Sequence, residues 1–352
     1  IRNVPKGNKK IMSTISAIGK YLDQPLLTAK INKNVPLALT VGSTAVLIKE
    51  IENAPKEKKK KVGLHTAIIL ATTAISAVKA PKIAAFLTRR QNSKTVKEIQ
   101  SANTQIIDEY LQTHKISENF EKLLNKAKTK ILSLKETHEL FNLKEHSELA
   151  NKLVPPPENI QAKDIFKEIG WLSIYGAVPV AGGIAGGVVA DKLTEKNWKE
   201  KVPNKIKEGI YQYLANIFMC NIGAGAALGI LEKLNIKSKG ARCVGMMSGI
   251  LLTGVIGGSA IANFIGNKFI NPLVSKDKNN KNDIRTPELI DLGLHTDDIA
   301  TVSLLSGLKW IEPSLPLLYS VSGYRAGIGY RNSDKHHFAD NQKQAHFLHK
   351  EC

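Results

Sequence analysis

Apolar and polar positions alternate along this chain in blocks whose periods are all helical. The first apolar block, Val35 to Ile48, is 14 residues long, and the second runs from Val62 to Val78 with an Ala-rich continuation past Lys79, Pro81 and Lys82 to Leu87. A helix crossing a bilayer needs about 17–25 apolar residues, and the first block falls short of that. With Lys56 and Lys58 to Lys61 between them, they predict an N-terminal apolar helical hairpin with basic flanks over 1–90. Such a hairpin spans imperfectly or lies in the interface.

Over 91–157 the pattern becomes amphipathic. Thr95 and Glu98 have capping-box spacing, and Val96, Ile99, Ile106 and Tyr110 then recur on one face. A second helix carries Ile116, Phe120, Leu123, Leu124, Ala127, Ile131 and Leu134 before Pro155, Pro156 and Pro157 end it. This region predicts an extramembrane amphipathic α-hairpin.

Three stronger apolar runs follow within 158–274: Ile169–Ala190, Gly209–Leu231 and Val244–Ile265. Each is long enough for the hydrocarbon core at 1.5 Å per residue. Trp171, Tyr175, Tyr211 and Tyr213 stand near the starts of two of them, where amphipathic rings favour the interface. Small residues recur every fourth position: Gly182/Gly186, Gly183/Gly187, Gly225/Gly229, Gly245/Gly249 and Gly254/Gly258/Ala262/Gly266. That spacing lets helix backbones approach closely in lipid. Gly182, Gly186, Gly225, Gly229, Gly254, Gly258 and Gly266 are the expected helix-packing positions. The segment 180–193 also aligns with 256–269, matching Gly182 to Gly258, Asp191 to Asn267 and Lys192 to Lys268, as in membrane folds built from repeats.

Beyond this, 275–330 reads as a polar linker followed by interfacial helices, and 331–352 as a polar, His-rich tail. The fold class expected is all-α: a helical membrane protein with a Gly-rich packed bundle and an extramembrane α-hairpin. A soluble all-α protein with glycine-rich buried helices fits the same pattern. The mean hydropathy of −0.15 argues that apolar spans share the 352 residues with solvent-facing parts. The stretch Ile11–Gly19 after Lys9 and Lys10 is short and interrupted by Ser and Thr. It predicts no secretory leader, so insertion is expected to rest on internal spans.

Charge narrows the partners. The net charge is +19 from 50 basic residues, yet the arginines are only Arg2, Arg89, Arg90, Arg242, Arg285, Arg325 and Arg331. Lysine clusters attract polyanions without the bidentate geometry of nucleic-acid readers. Anionic lipid is therefore the expected partner, with no specific nucleic acid, and the Gly-rich helices offer a route to a homo-oligomer. Because the loops between the apolar runs are all basic, the positive-inside rule assigns no orientation.

Candidate chemistry is sparse. Gly323-Tyr-Arg325 and Gly329-Tyr-Arg331 repeat beside an apolar segment, and Arg pairs with phosphate oxygens, so Tyr324, Arg325, Tyr330 and Arg331 are candidate lipid-phosphate residues. A transporter or channel would need polar groups along a shared interior path; Asn221, Asn263, Lys309 and Glu312 are the candidates. His295, Asp297 and Asp298 bring an imidazole and two carboxylates together, but Thr296 followed by two acids is also a helix start. His346, His349 and Cys352 have His-x-x-His-x-x-Cys spacing in the tail. Three scattered cysteines give no metal framework, and no metal, cofactor or catalytic residue is expected. No phosphate loop, nucleophile elbow or zinc-helix signature occurs.

Overall fold

The computed structural model describes residues 14–156, 161–274, 284–288, 291 and 312–331. Among them every regular element is helical. The α-helices are α1 (Thr14–Leu22), α2 (Pro25–Asn53), α3 (Lys59–Thr88), α4 (Val96–Thr113), α5 (Glu118–Thr129), α6 (Leu134–Asn142), α7 (Ser147–Leu153), α8 (Ala162–Thr194), α9 (Trp198–Tyr213), α10 (Met219–Lys233), α11 (Lys239–Ile250), α12 (Ser259–Ile265), α13 (Asn271–Val274) and α14 (Leu315–Ile328). Turns of π-helix at Leu214–Phe218, Leu251–Gly258 and Gly266–Ile270 join α9 to α10, α11 to α12 and α12 to α13. The chain forms two compact units, one from 1–33, 93–159 and 303–313, the other from 34–92, 160–302 and 314–352.

The first unit is a small amphipathic helical domain. Thr95 opens α4 with a reciprocal capping box, its side chain accepting from Glu98 N–H while Glu98 accepts from the Thr95 backbone. The single second helix expected here is divided into α5, α6 and α7. Lys130 leaves α5 in an extended conformation, and Ser133 starts α6 with its own capping box to Glu136. The break is satisfied from within: Gln24 accepts from Leu132 N–H (2.8 Å) and donates to the Leu132 carbonyl (2.9 Å). One carboxamide thus replaces a strand partner for one extended residue. Phe120, Leu124, Leu140 and Leu149 pack with Ile107 in the core.

In the second unit α3 and α8 run antiparallel in an unbroken register. Lys61 pairs with Glu195 at one end (2.9 Å), and Arg90 pairs with Glu168 and stacks on Trp171 at the other. Midway, an added Cβ at Gly182 or Gly186 would collide with Ser76 or Thr72 of α3. The neighbouring rungs turn to α14, where Gly183 meets Gly323 and Gly187 meets Gly327, backbone against backbone. The paired helices α10 and α11 cross at Gly223 and Gly249, while Gly254 and Gly258 sit against Cys220 and Ala215.

Among the described residues, four helical stretches are long and apolar enough to cross a membrane: Lys56–Thr88, Ala162–Thr194, Trp198–Lys233 and Ala241–Ile270. The last three extend the predicted runs at both ends, and α3 joins them as a fourth. Their most apolar windows have mean hydropathies of 1.5–1.7, yet only 28–50% of each window is buried. Ile75, Phe86, Val244, Leu252 and Ile256 are exposed. Trp171, Tyr175 and Tyr211, expected at the interface, are instead buried, because each has partners inside: Arg90 for Trp171, Trp171 and Tyr319 for Tyr175, and Ser259 for Tyr211.

Candidate functional site

The second unit encloses a network of opposite charges. Its centre is Arg285, fully buried, in the non-helical segment 284–288. Arg285 Nη2 donates to both oxygens of Asp291 (3.0 and 2.9 Å), Nε donates to Glu208 of α9 (3.3 Å), and Nη1 donates to the Thr286 carbonyl. The guanidinium also lies over Tyr211, 4.4 Å from the ring centroid, a favourable cation–π position. Asn263 holds the Arg285 backbone on both sides, accepting from its N–H (3.0 Å) and donating to its carbonyl (2.9 Å). This repeats in the second unit the carboxamide device that Gln24 uses in the first.

The end of α14 closes the network. Arg325 pairs with Glu288 (3.1 Å), Glu208 (3.6 Å) and Asp291 (3.8 Å), and Arg331 approaches Glu208 at 3.9 Å. Gly329, at φ 68°, occupies the left-handed region that ends α14. The turn brings Tyr330 back over Arg325 and lets its hydroxyl donate to Glu288 (2.7 Å). Burial alone would raise the Glu288 carboxyl, but the Tyr330 and Arg325 hydrogen bonds and the Arg285 charge hold it below the usual carboxylate range. Three guanidiniums thus face three carboxylates, Glu208, Glu288 and Asp291. Buried charges persist only when paired and hydrogen-bonded, and this set is balanced.

Two polar extensions leave this centre. Along α9, Gln212 donates to Glu208 (2.8 Å) and Asn216 donates to Gln212 (2.9 Å), all three buried. These amides form a directed line of dipoles that solvates the buried Glu208 carboxylate. About one turn before Glu208 on α9, buried Lys205 bridges Asp191 of α8 (3.0 Å) and the Gly327 carbonyl of α14 (2.5 Å), and Asp191 also meets His65 of α3 at 2.7 Å.

The residues expected from sequence fall as follows. Tyr324, Arg325, Tyr330 and Arg331 come together, with both arginines turned inward onto carboxylates. Gly182, Gly186, Gly254 and Gly258 stand where an added Cβ would collide, and Gly225 lies under the Phe166 ring. At Gly229 and Gly266 the nearest side-chain atoms stand at 3.5 Å, ordinary contact for a Cβ. Asn263 is committed to Arg285, while Asn221 donates to the Ile217 carbonyl (2.7 Å) and its buried Oδ1 has no hydrogen-bond partner among the described residues. Glu312 begins a 3-10 turn grouped with the first unit. Lys309, His295, Asp297, Asp298 and the His-rich tail lie outside the described residues. In the aligned repeat, α8 is continuous whereas its counterpart is interrupted by π-turns. Asp191 joins Lys205 and His65, while Asn267 accepts from Asn271 (3.2 Å).

Sequence reading missed Arg285, Glu208, Asp291 and Lys205. A charged residue every third or fourth position facing the polar side of α9 resembles an ordinary solvated face. The available signal was the scarcity of arginine in so basic a chain, since three of the seven gather here. Comparison with known proteins finds no family model, curated protein or solved structure that matches the chain.

Proposed function

We propose that the chain is a multi-pass integral membrane protein with a structural or interaction role, its helices held by glycine contacts and locked by the buried charge network. The observation that carries this reading is the inverted distribution of polarity in the second unit. Large apolar side chains cover the outside of the four candidate spans, while paired charges lie inside. Half or more of each helix's most apolar window lies outside the core, and an apolar surface of that extent is suited to lipid. Irregular backbone such as 284–288 is tolerated at such depth when protein buries it and satisfies its polar groups, as Asn263 does for Arg285.

The exposed lysines before and within the first turn of α3, Lys56, Lys58 and Lys60, supply attraction to anionic lipid, at about 1 kcal/mol per basic residue near the surface. The tight glycine contacts are made within one chain, which argues for internal packing before association of copies. A transport reading rests on one observation, the unpartnered Oδ1 of buried Asn221. The Glu208–Gln212–Asn216 line argues against a proton relay, because carboxamides solvate charge but titrate outside the physiological range.

Reconstitution tests these readings. Vesicles containing the chain are expected to leak protons and potassium no faster than protein-free vesicles. A leak that Asn221→Ala abolishes would replace the structural reading with transport.

A further inference from the structure

The second half of α2 meets the bundle near both of its ends. Val35 and Leu39 pack with Ala77 and Leu317, and Ile51 lies against Gly63. Between these contacts α2 stands away from α3 and α14, leaving a cleft of about 670 Å³. That volume falls within the range typical of small-molecule sites, roughly 300–1,000 Å³.

The cleft is polarised along its length. One wall runs along α2 from Ala38 and Leu39 through Gly42 and Val46 to Lys49 and Glu50. The facing wall runs from Leu317 and Val321 to Tyr324, Arg325, Tyr330 and Glu288, with Leu70 of α3 also lining the cleft. From Ala38 to Glu50 the helical rise is about 18 Å. The apolar part of that wall, Ala38 to Val46, is about 12 Å of it, and one leaflet's acyl chains occupy about half of the ~30 Å hydrocarbon core, so the cleft takes most of one chain's length. At the polar end Lys49 and Arg325 offset Glu50 and Glu288, and Arg325 is already bound to Glu288 at 3.1 Å. A head group of one sign gains little there. A head carrying both signs is complementary.

We infer that this cleft holds one acyl chain of a zwitterionic phospholipid, with the phosphate toward Lys49 and the amine toward Glu50. The inference rests on the membrane reading and adds a specific lipid site to it. It also redirects the sequence-derived lipid residues: Tyr324, Arg325 and Tyr330 line the cleft, while the arginine charge is neutralised internally.

Gly42 gives a direct test, because a Cβ added there meets nothing within 4 Å. Gly170 of α8 is equally open and does not line the cleft, so Gly170→Trp is the control. Binding of a spin-labelled lysophosphatidylcholine to the purified full chain is measured by its immobilised fraction. Wild type and Gly170→Trp are expected to bind one molecule per chain, Gly42→Trp at least tenfold more weakly, and Lys49→Glu, at an exposed position, about fivefold more weakly. Equal binding by Gly42→Trp with unchanged thermal unfolding overturns the site. If Gly42→Trp fails to fold, undiminished binding by Lys49→Glu overturns it instead. Tighter binding of the phosphatidylglycerol analogue overturns the zwitterionic assignment. Release of the chain from membranes by alkaline carbonate, with lysolipid binding intact, would overturn the membrane reading and leave the cleft standing.

Discussion

At Gly183 and Gly187 a single methyl group decides whether α8 and α14 can pack. The atoms in the way are the Gly323 and Gly327 carbonyl groups, which no rotamer change can move. Gly183→Ala is therefore expected to destabilise the second unit by about 1–3 kcal/mol, the usual range for overpacking. Gly229→Ala should be neutral within about 0.5 kcal/mol, since its nearest atom, Ala162 Cβ, lies at 3.5 Å. Thermal unfolding in detergent separates the two, and equal midpoints would remove the packing argument. Glu208→Gln is a sharper residue-level test. It leaves Arg285, Arg325 and Arg331 facing two carboxylates, and breaking a buried pair from one side costs about 3–5 kcal/mol. Little or no loss of stability would mean that Glu208 carries no charge in the folded chain.

At the scale of elements, what could be read locally was read from side chains that act on their own backbone. The Thr95 and Glu98 box is such a feature. The division of the second amphipathic helix was harder, because Ile116 to Leu134 keeps its apolar period across the break. The decisive signal was Ser133 with Glu136, a second capping box inside the run. Its strength makes a pH prediction. Hydrogen bonds from Lys126 and the Ser133 backbone depress the Glu136 carboxyl from 4.5 to about 2. A depressed carboxylate contributes stability that is present above the unfolded value and lost as pH falls through the folded one. Amide protection at the start of α6 should accordingly decline between pH 4.5 and about 2, and Glu136→Gln should flatten that decline. Ser133→Ala should cost α6 about 1 kcal/mol at neutral pH. A pH profile unchanged by Glu136→Gln would detach α6 from this cap.

For the whole molecule, the contrast between an apolar exterior and a charged interior in the second unit was only half legible. Hydropathy and length marked three helices long and apolar enough to span, and α3 was ambiguous because Lys79, Pro81 and Lys82 interrupt it. The interior was hidden for a different reason. Glu208, Arg285 and Arg325 are separated by 77 and 40 positions, and nothing in their local patterns says that the segment 284–288 returns to α9 or that α14 lies against α8. Such pairings are properties of tertiary topology, whereas periodicity reports only which face of one element is apolar. The candidate lipid arginines show the consequence: sequence placed them beside an apolar helix, and the fold turned them onto carboxylates. The central claim is that the four apolar helices face lipid. Alkaline-carbonate extraction of membranes from cells expressing the full chain tests it most directly: the account predicts that the protein stays in the membrane pellet, and its recovery in the supernatant would contradict the account.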